Sequence, residues 1–323
     1  MIERIGKAID IIETVIRGKR DTIELVFTAI LAGGHCLIED LPGSGKTLLA
    51  KCVARVFKKN KPDFPTFKRI QFTPDLLPSD ITGVNVFNPS TGAFNLVRGP
   101  IFTNILLADE INRAGPKVQS ALLEAMAEGQ VTIDNETYRL PDFFFVIATQ
   151  NPLDIAGTHP LPIAQLDRFL LRIPMSYADP KVEEEIIKDE HVIISNFENM
   201  QPVLDLDEFI VFRENVHRVH VCSAIIKAIL EVGIRSRVDS IGYGLSTRSL
   251  VLLKRAIQAK ALLNGRNFAT DKDFTDLVFP VLNHRLGLRN LEEARHAIEN
   301  FSKTVIRNLP SLVVEELRNV KLV

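Results

Sequence analysis

The octapeptide Asp40-Leu41-Pro42-Gly43-Ser44-Gly45-Lys46-Thr47 separates a short apolar run, Gly34 to Glu39, from a stretch in which Leu48, Leu49, Cys52, Val53 and Val56 recur with helical spacing. A glycine-rich loop between strand and helix points to an α/β fold and has the form of a phosphate cradle, the alternative from these residues alone being a chance glycine-rich turn entering a helix. Its glycines let consecutive backbone N–H groups point inward at an anion, and the helix N-terminus adds the positive end of its dipole. Lys46 would reach the outer phosphates and the Thr47 hydroxyl would ligate Mg²⁺. The pattern G-x-x-x-x-G-K-[ST] is met except at Asp40, where glycine is expected.

Further along, Ile105-Leu106-Leu107-Ala108 runs into Asp109-Glu110. A continuous apolar run suits a strand covered on both faces of a parallel sheet, whose carboxyl edge is where ligands bind. Asp109 would hold Mg²⁺ through its water shell and Glu110 would polarise an attacking water. Phe143 to Thr149 is another buried strand, ending in Gln150-Asn151-Pro152. Asn151, at the carboxyl edge of a central strand, is placed to hold a water or a γ-phosphate oxygen.

Before the loop, residues 3–16 and 21–32 read as helices, the second stopped by Gly33-Gly34. Arg69 to Phe72 reads as a strand, residues 83–97 as a hairpin turning at 88–92, and residues 130–140 as a second hairpin. Asn112 to Pro116 opens the helix that carries Val118, Ala121, Leu122, Ala125 and Met126 as a core stripe. Asp167-Arg168 precedes another strand, and spacing alone does not separate Arg168 and Arg172 from surface charges. A charged helix is expected from Lys181 to Glu190, then a polar stretch, 195–201, taken as the domain boundary. The expected domains are therefore an α/β core, 1–198, and a smaller all-α lid, 199–323. In the latter Arg248 precedes a helix from Leu250 to Leu263, and Thr270 caps the next.

With 323 residues, 46% of them hydrophobic, the chain is long enough for two cores. A net charge of -1 gives no basic stripe for nucleic acid. No signal peptide and no membrane-length apolar run are evident, so a cytoplasmic location is expected. Cys36, Cys52 and Cys222 lie singly in apolar segments, as buried thiols do. His217 and His220 have no third metal ligand nearby.

The order of these features and much of their wording resemble the MoxR family of AAA+ ATPases. The resembling text includes LAGGHCLIEDLPGSGKT, GPIFTNILLADEINRAGPKVQSALLEAMAEGQVT, FFFVIATQNP, GTHPLP and AQLDRFLLRIP, close over about residues 15–178, and more loosely GLSTRS, GRNF and VLNHRLGL. The resemblance implies a P-loop core with a parallel sheet flanked by helices, and a lid. It implies ATP held by Pro42, Gly43, Ser44, Gly45, Lys46, Thr47 and Leu48, with Mg²⁺ at Thr47 and Asp109. Lys46 and Thr47 look like the Walker A pair, Asp109 and Glu110 like the Walker B pair, and Asn151 like the first sensor. Arg168 is similar to the arginine finger given to a neighbouring subunit, and Arg248 to the second sensor, which feels the γ-phosphate. A hexameric ring acting on a client protein is expected, and a partner with a metal-dependent adhesion domain is suggested. The hairpin at 82–100 looks like the helix-2 insertion. Asp40, Ile163 and Ala156 depart from the pattern, Asp40 bearing on affinity and turnover. Beside the remodelling ATPase stand two alternatives, a nucleotide-dependent scaffold with little turnover and a chelatase-type motor subunit for metal insertion.

Overall fold

The structure, a computed structural model, describes residues 1–40, 43–58, 66–151, 157–238, 242–288 and 290–319. Pro42, Ala156 and the side chain of Asp40 lie outside the described residues.

Helix α1 (Ile2–Glu13) buries Ile5, Ala8, Ile9 and Ile12, the one-sided spacing of an amphipathic helix. Helix α2 (Arg20–Leu31) follows and stops at Gly33, whose φ of 63° is the left-handed turn that glycine adopts without strain. Strand β1 (Cys36–Asp40) leads through the glycine-rich loop into α3 (Lys46–Arg55). A two-residue strand β2 (Phe57–Lys58), β3 (Phe67–Gln71) and the single turn α4 (Pro78–Thr82) come next. Strands β4 (Gly83–Asn88) and β5 (Ala93–Arg98) pair as the first expected hairpin. Strand β6 (Ile105–Asp109) is buried at every position. Helix α5 (Pro116–Glu128) starts on proline and ends at Gly129. Strands β7 (Gln130–Ile133) and β8 (Glu136–Arg139) form the second hairpin, turning at Asp134 and Asn135, both with positive φ. Strand β9 (Phe145–Gln150), the short α6 (Ile163–Leu166) and β10 (Leu171–Met175) complete the sheet region.

The sheet has the order β10-β1-β9-β6-β3, and every neighbouring pair is parallel. The central strands β6 and β9, buried almost throughout with helices covering the sheet, account for the continuous hydrophobic runs in the sequence, whereas the edge strand β3 exposes Lys68, Arg69 and Gln71. The carboxyl ends of β1, β9 and β6 lie side by side, so the phosphate loop, Asn151 and Asp109 share one edge.

Past the sheet, the expected single charged helix is two, α7 (Pro180–Lys188) and α8 (Glu190–Glu198), parted at Asp189. The polar run from Ser195 is therefore helical as far as Glu198. The chain then returns to the core: Leu204 and Asp205 (β11) pair with Phe57 and Lys58, and the amides of Val203 and Leu204 donate to the Val56 carbonyl. The remainder is helical, with α9 (Leu206–Arg213), α10 (Ser223–Val238), α11 (Thr247–Leu263), α12 (Asp271–Leu282) and α13 (Leu291–Asn319). Thr270 and Asp273 form the capping box expected at the start of α12.

The carboxyl end of α12 joins this helical region to the sheet. Asn283 donates to the Arg172 carbonyl (3.0 Å), His284 Nε2 to that of Phe169 (2.9 Å), and Arg285 to those of Phe169 (2.8 Å) and Leu170 (3.2 Å). These three residues are almost fully buried. Polar side chains this deep are tolerated because each finds a backbone carbonyl to bond.

Candidate active site

Gly43 and Gly45 both have strongly positive φ, 88° and 93°, and a Cβ on either would meet nothing within 4 Å. Glycine is required there by backbone conformation, not by space. Helix α3 begins at Lys46 with no side-chain cap, so its first N–H groups face the loop. The Ser44 hydroxyl is buried and has no hydrogen-bond partner. An orphaned donor beside uncapped amides is what an anion-binding loop presents before its ligand.

Beside the loop opens a cavity of about 440 Å³ lined by Val15, Ile16, Leu48, Tyr177, Ile186 and Ile193. Its apolar walls next to the phosphate cradle suit a flat heteroaromatic base. Lys19 Nζ donates to the carbonyls of Ser176 (2.7 Å) and Tyr177 (2.9 Å) and closes one side. The sequence reading missed all of these wall residues except Leu48. They come from the end of α1, the start of α3 and the chain after β10, so no local pattern collects them.

Asp109 and Glu110 stand at the end of β6 in unlike surroundings. The Asp109 carboxylate is buried; Arg69 donates to its Oδ2 from Nε (3.1 Å) and Nη2 (2.7 Å), and the Thr149 hydroxyl donates to Oδ1 (2.6 Å). Thr149 also accepts from the Glu110 amide at 2.9 Å. Glu110 has left-handed backbone angles, φ 57° and ψ 49°, unusual away from glycine. That turn swings its side chain out of the strand, where Gln71 Nε2 (3.0 Å) and Arg113 Nε (2.8 Å) both donate to Oε2. Arg69, Gln71 and Thr149 sit on β3 and β9, flanking β6, and the sequence reading assigned them no role.

Asn151 follows β9 at this same edge and is half-buried. Below the edge, Arg172 Nη2 pairs with Glu39 Oε1 at 2.5 Å, and Gln150 also donates to that oxygen. Arg172 is 7% exposed, so it is a buried partner of β1 and not a surface charge.

Arg168 and Arg248 are elsewhere. Leu170 and Leu171 bond the His35 carbonyl at the amino end of β1, which puts Arg168 at the edge of the sheet opposite the phosphate loop. Five residues at ~3.3 Å rise give β1 a length of about 15 Å. Arg168 Nη1 donates to the Ala164 carbonyl (3.1 Å), while its Nε is buried without a partner. Arg248 Nε lies 3.3 Å from Asp167 Oδ2, whose Oδ1 accepts from Arg285 Nε at 2.8 Å. The structure thus groups Arg168 with Arg248 and separates both from Lys46, Asp109, Glu110 and Asn151 of their own chain.

His35, Cys36, Cys52 and Cys222 are all buried, and the three cysteines are free thiols. His217 lies on a 3₁₀ turn and His220 in a bridge to Phe268. Among the described residues no group of three His, Cys, Asp or Glu could hold a metal ion, and no helix is long and apolar enough to cross a membrane. For Mg²⁺, the donors at the site are the Thr47 hydroxyl and Asp109. The carboxylate of Asp109 is already bonded by Arg69 and Thr149, which suits contact through coordinated water better than direct ligation.

A parallel sheet with a glycine-rich loop, an adjacent acid pair and an uncharged polar residue on one edge, followed by a helical region, defines a P-loop nucleotide hydrolase with a lid. The description "ATPase family associated with various cellular activities (AAA)" matches residues 35–171, and "AAA lid domain" matches residues 235–305. Chaperone MoxR1 of Mycobacterium tuberculosis is 35% identical over 89% of this chain and 76% of its own length. The uncharacterized protein YeaC of Bacillus subtilis is 44% identical over 88% of this chain and 87% of its own. A crystal structure from Cytophaga hutchinsonii, provisionally assigned as an ATPase, superposes with a TM-score of 0.81 at 35% identity, covering 95% of this chain and 94% of that one. The chain belongs to the MoxR family of AAA+ ATPases. It binds nucleotide and is an ATPase.

Proposed function

We propose that this chain is a Mg²⁺-dependent ATPase working as a ring, with each site completed by Arg168 and Arg248 of the adjacent copy, and that turnover drives chaperone-like remodelling or maturation of a partner protein. The observation that carries the reading is the split of the site: the phosphate loop, Asp109, Glu110 and Asn151 occupy one edge of the sheet, while Arg168 and Arg248 occupy the other. A single chain cannot bring the two halves together, whereas a head-to-tail contact between copies can, and such contacts form a ring when the rotation between copies closes.

In this reading the glycine-rich loop and Lys46 hold the phosphates, the apolar cavity takes the base, and Asn151 orients the attacking water. Glu110 accepts that water's proton. Mg²⁺, held by the Thr47 hydroxyl and by Asp109 through water, would offset phosphate charge. A guanidinium delivered in trans is worth about 10³ to 10⁵ in rate where such fingers act. The client class follows from the relatives named chaperone and MoxR, and a partner bearing a metal-dependent adhesion domain remains part of the proposal.

A second reading, a nucleotide-dependent scaffold with little turnover, is favoured by one observation: both Gln71 and Arg113 hold the Glu110 carboxylate. Phosphate release separates the two. Glu110→Gln is expected to abolish release while retaining ATP, and Arg168→Ala to be nearly inactive. Mixing these two inactive proteins should restore part of the activity, because some interfaces then combine an intact Glu110 with an intact Arg168. Background-level release by the wild type would favour the scaffold, and a mixture as inactive as its parts would count against shared sites.

A further inference from the structure

Two arginines behind the sheet converge on one point without a counter-ion. Gly33 ends α2 in the left-handed conformation, and a Cβ on it would lie 2.8 Å from Arg255 Nη2 and 3.8 Å from Arg213 Nη1. Arg213 is the last residue of α9. Arg255 lies two turns beyond Arg248 on α11, and this spacing of seven puts them on the same helix face. Both guanidiniums therefore reach from the helical region to the backbone that leads into β1.

Neither has a carboxylate within ion-pairing distance among the described residues, and Arg255 Nε is buried with no hydrogen-bond partner. Asp142 and Glu214 exert some attraction on Arg213, yet neither forms an ion pair with it. The nearby His35 is no acceptor for them: its Nε2 lies 3.3 Å from the Met126 carbonyl and its Nδ1 accepts from the Val146 amide. Burial disfavours the charged form of both arginines, and the charge of Arg255 adds to this at Arg213. Two like charges side by side, partly desolvated and unpaired, are expensive unless something of opposite sign joins them.

Space for it exists. Two cavities meet at Gly33, His35 and Arg255, one of about 210 Å³ reaching Arg168 and Arg248, the other of about 450 Å³ reaching Arg139 and Arg213. Guanidinium forks bind carboxylate and phosphate oxygens in pairs of parallel hydrogen bonds, which two converging forks do best with a tetrahedral group. Of the acids bordering the cavities, Asp167 is already shared by Arg285 and Arg248, while Glu128 and Asp142 line the larger cavity without forming an ion pair with Arg213 or Arg255.

We propose that Arg213 and Arg255 form an oxyanion site that takes inorganic phosphate, or an ion of its size and charge, between the end of α2 and helices α9 and α11. The site is distinct from the phosphate loop of its own chain, which lies at the other edge of the sheet. Because both arginines belong to the helical region and Gly33 to the core, the bound ion ties the two together and stabilises the docked arrangement.

The test uses the full chain carrying Lys46→Ala, so that the phosphate loop does not contribute, and compares phosphate with chloride at equal ionic strength. Phosphate is expected to raise the melting temperature and to give a saturable titration. Arg213→Met and Arg255→Met, which keep the apolar stem, should each weaken phosphate binding about tenfold or more, as expected for loss of a charge-assisted pair. Arg235→Met, on α10 and paired with Glu231 away from both cavities, should leave binding within about twofold. Relief of like-charge repulsion should keep both methionine variants folded without phosphate, and their melting in chloride checks this. Absence of a phosphate-specific shift in the Lys46→Ala protein, or a shift that survives in both folded methionine variants, would overturn the site.

Discussion

The hydroxyl of Thr149 donates to Asp109 Oδ1 at 2.6 Å and accepts from the Glu110 amide at 2.9 Å, so one side chain on β9 fixes both acids at the end of β6. It orients the Asp109 carboxylate and holds the peptide at which the backbone turns left-handed.

Thr149→Val keeps the shape and removes both bonds. Asp109 is left buried with one donor fewer, a loss of about 1–3 kcal/mol in stability. ATPase rate should fall by about tenfold or more, because the turn that aims Glu110 loses its anchor. Thr149→Ser should restore most of both. Urea unfolding and steady-state phosphate release decide the matter, and a fully active valine variant would show the clamp to be dispensable.

Gln71 bears on the same pair from the opposite strand. Its amide donates to Glu110 Oε2 at 3.0 Å and Arg69 donates to its oxygen at 2.7 Å, so it is held in place while holding Glu110. A carboxylate engaged by Gln71 and Arg113 has fewer lone pairs for a water. Gln71→Ala is expected to raise basal phosphate release about two- to tenfold, since a single released hydrogen bond corresponds to ~0.5–1.5 kcal/mol. A drop in release would instead make Gln71 a residue that positions Glu110 for reaction.

The parts of this molecule legible in the sequence are those whose residues adjoin in the chain. Gly43 to Thr47 and Asp109-Glu110 each carry their chemistry within a few positions, and the apolar runs before them announce a buried sheet. The strand order, by contrast, brings together Gln71 of β3, Glu110 just past β6 and Thr149 of β9, and no spacing rule reports that. Arg248 shows the same limit from another side. Its motif could be matched, but its position depends on how the end of α12 docks on β10, through Asn283, His284 and Arg285, and that docking places it beside Asp167. The walls of the cavity beside the phosphate loop, drawn from both ends of the core, are invisible in the sequence for the same reason.

That docking yields a stability prediction. Arg285 is almost completely buried and Asp167 is its ion-pair partner; burial lowers the guanidinium pKa to about 10 while Asp167 opposes the shift. Asp167→Asn leaves a buried charge without a counter-charge, and breaking such a pair costs about 3–5 kcal/mol. Arg248→Ala removes only the exposed partner of the same carboxylate and should cost about 1 kcal/mol or less. Chemical denaturation of the two variants should rank them in that order, and equal small losses would mean that the carbonyl bonds alone secure Arg285.

His35 sets the expected response to acid. It is buried at the amino end of β1, and burial pushes its pKa down to about 4, with the nearby positive charge of Arg213 acting in the same direction and the Met126 carbonyl opposing. His284 is lowered in the same sense, chiefly by burial. A folded-state pKa below the unfolded value means that the unfolded chain binds the proton first. The stability His35 contributes is therefore complete above about pH 6.5 and is lost as pH falls toward 4. Between pH 7.5 and pH 5 the loss from His35 alone should be about 2 kcal/mol, at 1.36 kcal/mol per pH unit below its unfolded pKa. His35→Gln, whose amide can still donate and accept, should begin less stable but show a shallower decline over that interval. Parallel pH profiles for wild type and variant would assign the acid sensitivity to other groups.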